Sequence, residues 1–437
     1  MREMKDSGVE WIGEIPIEWK ICKLKNIASI QTGNTPPKNV QSTFYSDESG
    51  TPWIKAEDLG ERDPISKTKE YLTEDGKKEG RIFPANTVFV CCIASIGKTG
   101  FSVQECSCNQ QINGIIFNKM QWKYGYYMTL AQESEYIFNA SGNVMKIINT
   151  EKQGNLWCPL PTKYDQERIV DYLDAKCSKI DEIIEKQLSI IEKLKEYKLS
   201  TITEVVTSGL NQKREMKDSH VLSIGCIPTN WDATKLKYLF GNGDDGLKIG
   251  PFGSAIKGKT LESGLYKIYN QAHLINNDFS LNRHYVSEDT FNDLKAYEVK
   301  PGDVLFSMMG TIGKCQIMPK GYPKGIMDSH LLKARLNEKV IPEFFIYAYD
   351  KDFSNQVIQQ LLYTSNGTIM NGLNSTILKN VYIALPPLEE QEEIVEFLNK
   401  FTKNIDDRIV VKTKIVEKLQ EYKKSLIYEV VTGKKEV

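Results

Sequence analysis

The sequence predicts two α/β domains of α+β character, each followed by a long helix, so that the chain runs domain, helix, domain, helix as a pseudo-twofold internal repeat. Three observations predict this. The stretch 160–209 returns without a gap at 385–434, an offset of 225. A second motif, REMKDS, occurs at Arg2–Ser7 and again at Arg214–Ser219, an offset of 212. Between these repeats lie short apolar runs separated by Gly, Pro, Asn and Asp, the pattern of short strands and turns. At 437 residues the chain exceeds one ordinary core. The boundaries read as 1–159 for the first domain, 160–209 for the first helix, 210–384 for the second domain and 385–437 for the second helix.

The first segment carries its likeness beyond REMKDS. Ile12, Gly13, Ile15, Pro16, Trp19, Leu24 and Lys25 match Ile224, Gly225, Ile227, Pro228, Trp231, Leu236 and Lys237. The two tryptophans are expected to anchor cores, because large aromatic side chains carry much apolar burial. Next comes a β-branched and aromatic run, Thr87 to Ile93, ending at Gly97. Its counterpart is fed by a turn at Pro301, Gly302 and Asp303 into a strand over Val304 to Phe306. Ile312, Gly313 and Lys314 match Ile96, Gly97 and Lys98 at an offset of 216, and Asn374 matches Asn149 at 225. The offset therefore grows from 212 to 225 inside the domains, which means insertions in loops on a shared frame. Between 38 and 140 the copies are otherwise scarcely alike, TPWIKAEDLG having only a loose counterpart in LYKIYNQAHL. Loops that differ on a common scaffold are where recognition resides.

The helices follow from spacing. Val170, Leu173, Cys177, Ile180, Ile184, Ile191 and Leu194 recur at alternating three and four residues, as do Val395, Leu398, Thr402, Ile405, Ile409, Val416 and Leu419. Such a seam fits a coiled coil, and an internal repeat favours the symmetric, antiparallel pairing. Acidic residues lie early and lysines late in the first helix, in keeping with the helix dipole. Gln187 and Lys412 occupy one equivalent seam slot, either as local irregularities or as residues that fix register. Lys198 and Lys423 break the strict phase, so the last turns are expected to be less regular.

Bulk properties narrow the function. A net charge of -1 argues against a uniformly basic nucleic-acid binder, while leaving room for a locally basic face. No run of eighteen apolar residues and no secretory pattern is found, so a cytoplasmic location and no membrane are expected. The nine cysteines form no C-x-x-C pair and none of the four histidines lies near Cys91, Cys92, Cys106 and Cys108, so reduced, mostly buried thiols and no metal site are expected. Catalytic motifs fail on inspection. Gly97-Lys98-Thr99 resembles the end of a phosphate loop, but Cys92 stands where its first glycine is needed. No cofactor fingerprint for methyl transfer, no H-E-x-x-H and no G-x-S-x-G occurs, so catalysis by this chain alone is not expected.

The chain as a whole resembles the specificity subunit of type I restriction-modification systems. The likeness rests on W-I-G-E-I-P-I-E-W-K at 11–20, I-Q-T-G-N-T-P at 30–36, S-I-G-K at 95–98 with T-I-G-K at 311–314, and N-Q-Q-I-N at 109–113. It continues in P-L-P-x-x-x-D-Q-E-R-I-V at 159–170 and L-P-P-L-E-E-Q-E-E-I-V at 385–395. The resemblance implies two target-recognition domains, each reading one half of a split double-stranded DNA target. It implies that the helices dock modification subunits, two by symmetry, which methylate adenine with S-adenosylmethionine, and that restriction subunits add ATP-dependent activity. No cofactor is expected on this chain itself. The second copy departs from the pattern: it has G-N-G-D-D-G-L-K at 241–248 in place of T-G-N-T-P, and Asp328-Ser329-His330 in place of Asn109-Gln110-Gln111. The two domains are therefore expected to read different half-sites.

Candidate DNA contacts follow from side-chain chemistry. Lysines meet phosphates, whereas Asn and Gln pair with adenine and Arg with guanine. The phosphate candidates are Lys38, Lys98, Lys146, Lys257 and Lys314. The base candidates are Gln31, Thr35, Asn109 and Gln111 in the first domain, and Asn270, Gln271, Arg283 and His284 in the second. Lys98 and Lys314, at matching positions, are expected to share a role. Rival readings are a protein-binding coiled-coil scaffold, an enzyme acting directly on DNA, and a specificity subunit of a system that only methylates.

Overall fold

The structure is a computed structural model that describes residues 2–37, 41–60, 63–142, 146–211, 213–243, 246–281, 284–309, 311–350, 352–353, 355–364 and 373–437, with the backbone alone at 41–42, 355–356 and 362–364. Lys38 and Arg283 lie outside the described residues. Two compact units emerge, Met1–Leu188 with Thr413–Val437, and Ser189–Lys412. Each long helix contributes one part to each unit.

In the first unit an antiparallel sheet has the strand order Thr99–Ser102, Thr87–Cys91, Ile112–Phe117, Ala28–Thr32. Its strand Thr87–Cys91 explains the unbroken apolar run in the sequence. Val88 and Val90 enter one buried cluster and Phe89 and Cys91 another, so both faces are covered. A second sheet has the order Tyr45–Ser46, Tyr71–Leu72, Thr51–Ile54, Cys106–Cys108, Ile82–Phe83, with a parallel pair at Thr51–Ile54 and Cys106–Cys108.

The second unit repeats this frame with different residues. Lys248–Ile249, Leu331–Arg335, Asp303–Ser307 and Cys315–Ile317 form its antiparallel sheet. Tyr285–Val286, Tyr266–Tyr269, Gly325–Met327 and Glu298–Val299 form the other, again with a parallel pair in the middle. Val304 and Phe306 face one cluster and Leu305 another, as in the first unit. The turn before this strand is present: Gly302 has φ 89° and Lys300 N–H donates to Asp303 Oδ2 at 2.8 Å. At the equivalent place the first unit uses Asn86, with φ 65°. The loose counterpart of TPWIKAEDLG is thus a true one, since Thr51–Ile54 and Tyr266–Tyr269 occupy the same sheet position. Asn149 and Asn374 also share a task, each capping a short helix through its side chain.

The long helices span Lys163–Ser208 and Leu388–Val431. In the first unit Val170, Leu173, Cys177, Ile180 and Ile184 bury with Val416, Leu426, Ile427 and Val430. In the second, Ile202, Val205 and Val206 bury with Ile394 and Leu398. Ile191 and Ile405 are buried, while Leu194, Val395, Ile409, Leu419 and the polar pair Gln187 and Lys412 are partly exposed. Gln187 Oε1 is buried without a hydrogen-bond partner among the described residues. Neither helix loosens at its phase-breaking lysine, contrary to the sequence expectation. Lys423 Nζ lies 2.7 Å from both carboxylate oxygens of Asp181, inside the first unit. Inside the second, Lys198 Nζ lies 2.8 and 2.7 Å from those of Asp406. An opposing carboxylate lets a lysine occupy the seam without unwinding the helix. None of the described helices is long and apolar enough to cross a membrane.

The REMKDS segments close each unit. Trp19 and Trp231 are buried as expected, but their indoles also donate hydrogen bonds, Trp19 to Asp165 Oδ2 at 3.0 Å and Trp231 to Glu390 Oε2 at 2.8 Å. Arg2 pairs with Asp165 at 2.7 Å, and Arg214 pairs with Glu390. The next residue along repeats the device: Gln166 Oε1 accepts from Gln121 N–H, and Gln391 Oε1 from Ile341 N–H, each at 2.8 Å. Gly433, with φ 76°, has no room for a Cβ, which would lie 2.4 Å from Pro16.

Candidate nucleic-acid interface

In the first domain the motif T-G-N-T-P runs off the edge strand Ala28–Thr32 and packs against the turn Asn109-Gln110-Gln111. Gly33 is required there, since a Cβ would lie 2.2 Å from the carbonyl of Cys108. Gly33 N–H donates to Ile112 O at 2.9 Å, and Asn109 Oδ1 accepts from Gln111 N–H at 3.0 Å, shaping the turn. Thr35 and Gln110 are hydrogen-bonded through their side chains. Gln31, Thr35, Asn109 and Gln111 are therefore brought to one edge of the domain, with Gln31 exposed. Asn34, Arg81 and Gln110 share this edge and were not singled out by sequence. Asn34 Oδ1 accepts from Arg81 N–H at 2.5 Å, and the Arg81 guanidinium donates to Thr32 O. Glycine at the foot of the turn was the available signal.

The second domain builds the same edge from other residues. Gly250 N–H donates to Leu331 O at 2.9 Å, and a Cβ on it would lie 1.8 Å from the Asp328 carbonyl. Asp328 Oδ1 accepts from His330 N–H at 2.9 Å, reproducing the Asn109 turn. The counterpart of T-G-N-T-P is thus Ile249-Gly250-Pro251-Phe252 rather than the G-N-G-D-D-G-L-K of 241–248, because the edge strand fixes the alignment where residue identity does not. Phe252 is 88% exposed. Nearby, Lys257 and His284 are exposed and line a pocket with Asp328 and Ser329.

Other candidates are engaged within the fold. Asn270 caps the helix Gln271–Ile275, its Oδ1 accepting from Ala272 N–H at 3.1 Å. Gln271 Nε2 donates to Met309 O at 2.8 Å. Lys98 Nζ donates to Ala56 O at 2.9 Å, tying the 95–98 turn to the segment after the strand Thr51–Ile54. Lys314 is buried, 2.7 Å from Asp352 and 3.4 Å from Asp350. Burial alone would lower its pKa, but Asp350 and Asp352 outweigh that and raise it. Lys314 is buried and Lys98 half-buried, and the two hold different partners. Lys146 is exposed.

Among the described residues no cluster of three or more His, Cys, Asp or Glu could hold a metal ion. Burial pushes the thiols of Cys92 to about 11 and Cys106 to about 12, away from nucleophilic character.

Comparison with known proteins agrees with this arrangement. The profile described as the type I restriction modification DNA specificity domain matches residues 16–193 and 247–418. The type I restriction enzyme MjaIX specificity subunit of Methanocaldococcus jannaschii is 23% identical over 440 residues, covering 97% of this chain and 94% of that protein. The type I restriction enzyme EcoBI specificity subunit of Escherichia coli is 21% identical over 406 residues, covering 90% and 81%. In fold, the chain is similar to a solved structure titled as the basis of complex assembly and conformational transition of the type I R-M system, with a TM-score of 0.69 at 15% identity, covering 95% of this chain and 98% of that one. The matched profile covers most of both domains and the first two-thirds or so of each long helix, and the chain belongs to the type I restriction-modification DNA specificity family.

Proposed function

We propose that this chain is the DNA specificity subunit of a type I restriction-modification complex, each domain reading one half of a bipartite duplex target. The observation that carries this reading is the pair of equivalent edges. Gly33 and Gly250 hold the same backbone arrangement, while the residues displayed around them differ, Asn34, Thr35 and Gln110 against Phe252, Lys257 and Ser329. Two readers of one design with different surfaces suit two different half-sites. Gln31, Thr35, Asn109, Gln111, Lys146, Lys257 and His284 are the contacts this reading retains.

In this reading the long helices form an antiparallel coiled coil. Contacts within each unit support it: Asp165 and Asp181 on one helix go with Glu436, through Arg2, and Lys423 at the chain end. In the other unit Lys198 goes with Asp406 and Arg214 with Glu390. Sequence numbers rise along one helix as they fall along the other. Exposed apolar residues on the helices, among them Ile183, Leu188, Val410, Val411 and Ile415, suit the docking of two methyltransferase subunits. Those subunits carry S-adenosylmethionine, and restriction subunits carry ATP; this chain contributes recognition, not catalysis, in the cytoplasm.

Co-purification with a modification subunit, followed by genome-wide mapping of methylated adenines, tests the proposal. A split target recognised only with this chain present is expected, and methylation without sequence preference would refute it. Adding one heptad to both helices should lengthen the spacer by about 10 Å, or up to about three base pairs, with both half-sites unchanged.

A further inference from the structure

We propose that Phe252 is a wedge residue whose ring enters the base stack of the half-site read by the second domain. The inference rests on the proposed function and adds a deformation step to it. An isolated apolar side chain on a surface is ordinary. Phe252 differs in how it is held. The preceding Pro251 is buried, Gly250 is locked against the Asp328 carbonyl, and Phe252 O accepts from Ala255 N–H at 2.8 Å. An anchored backbone thus presents a ring that is 88% exposed.

Its position matters as much. Phe252 stands two residues after Gly250, as Thr35 stands two after Gly33, so the ring takes the place of a base-reading candidate in the other domain. The next residue, Gly253, abuts Ser329 Oγ, 3.8 Å from the place of a Cβ, so the backbone that carries the ring runs along the turn 328–330. Cations for a polyanion are close along the chain: Lys257 and Lys259 are exposed five and seven residues after Phe252, with Glu262 beyond them and Asp328 lining a pocket with Lys257. A rigid apolar side chain flanked by cations is the arrangement by which proteins unstack a base step, most readily at TA or CA/TG. The first domain has no such ring at this place. Deformation then contributes to selectivity in one half-site only.

The test uses the complex with its modification subunit and duplexes carrying the mapped target, with 2-aminopurine placed in turn along each half. The expected result is a fluorescence rise at one step of the half read by the second domain and none in the other half. Phe252→Ala should remove the rise and weaken binding about tenfold, while Phe252→Trp retains both. Unchanged fluorescence and affinity in Phe252→Ala would overturn the wedge. So would a loss of affinity that is reproduced by replacing thymine with uracil with no fluorescence rise in the wild type, since the ring would then read a methyl group. A wild-type complex that methylates no split target would overturn the proposed function and the wedge together, which separates the two failures.

Discussion

Where the domains meet the long helices, Trp19, Arg2 and Asp165 in one unit and Trp231, Arg214 and Glu390 in the other make one device twice. Where each domain is tied internally by a lysine, the copies part. Lys98 is held by backbone carbonyls, whereas Lys314 is held by two carboxylates, one of them fully buried. The difference teaches that the repeat is kept at the frame and released around the loops. A helix junction must satisfy a buried indole and a first-turn carboxylate in both copies. A loop tie need only fix a loop, and any donor and acceptor that fit will serve.

The comparison can be broken most severely at Lys314. Lys314→Ala leaves Asp350, with no side-chain exposure, without its cation and should cost about 3 kcal/mol in urea denaturation. Lys98→Ala, which leaves only carbonyls unbonded, should cost about 1 kcal/mol; equal losses would show that the two ties are one device after all. Asp165→Asn should cost about 2 kcal/mol, and Glu390→Gln a similar amount if the junctions are equivalent. For Asp165, burial raises the pKa but hydrogen bonds from Arg2, Trp19 and Thr162 outweigh it and hold the carboxyl below its ordinary 3.8. Its contribution is therefore fully present above pH 3.8 and lost as pH falls from there through the lower folded value. Acid titration of stability should show that loss in the wild type and not in Asp165→Asn. The smallest effects belong to the seam lysines. Lys423→Met and Lys198→Met should each cost below about 1 kcal/mol. Lys423 should cost more, since Asp181 is 15% exposed and Asp406 54%.

The frame was legible because repetition and period are local properties. Two long helices are present where the repeated spacing predicts them, and the run Thr87 to Ile93 marked a strand covered on both faces. The seam lysines were misread because their partners, Asp181 and Asp406, lie on the opposite helix, and periodicity along one helix does not show what faces it. Lys314 was placed among phosphate contacts because a lysine's burial depends on distant residues such as Asp350. The edge at Gly250 is not legible as the counterpart of T-G-N-T-P, because the only residue they share is that glycine, needed for a close backbone approach rather than for chemistry.

The division of the chain also orders its birth on the ribosome. The second unit is one continuous stretch, Ser189–Lys412, whereas the first needs both Met1–Leu188 and Thr413–Val437. At about 5–20 residues per second, roughly 10–45 s separate the synthesis of these two parts. Throughout that interval the Tyr124 hydroxyl lacks Val431 O, the nearer of its two acceptors at 3.0 Å, and the cluster lacks Leu426, Ile427 and Val430. The domain made first is therefore the one finished last, its apolar face uncovered until residues 413–437 are made.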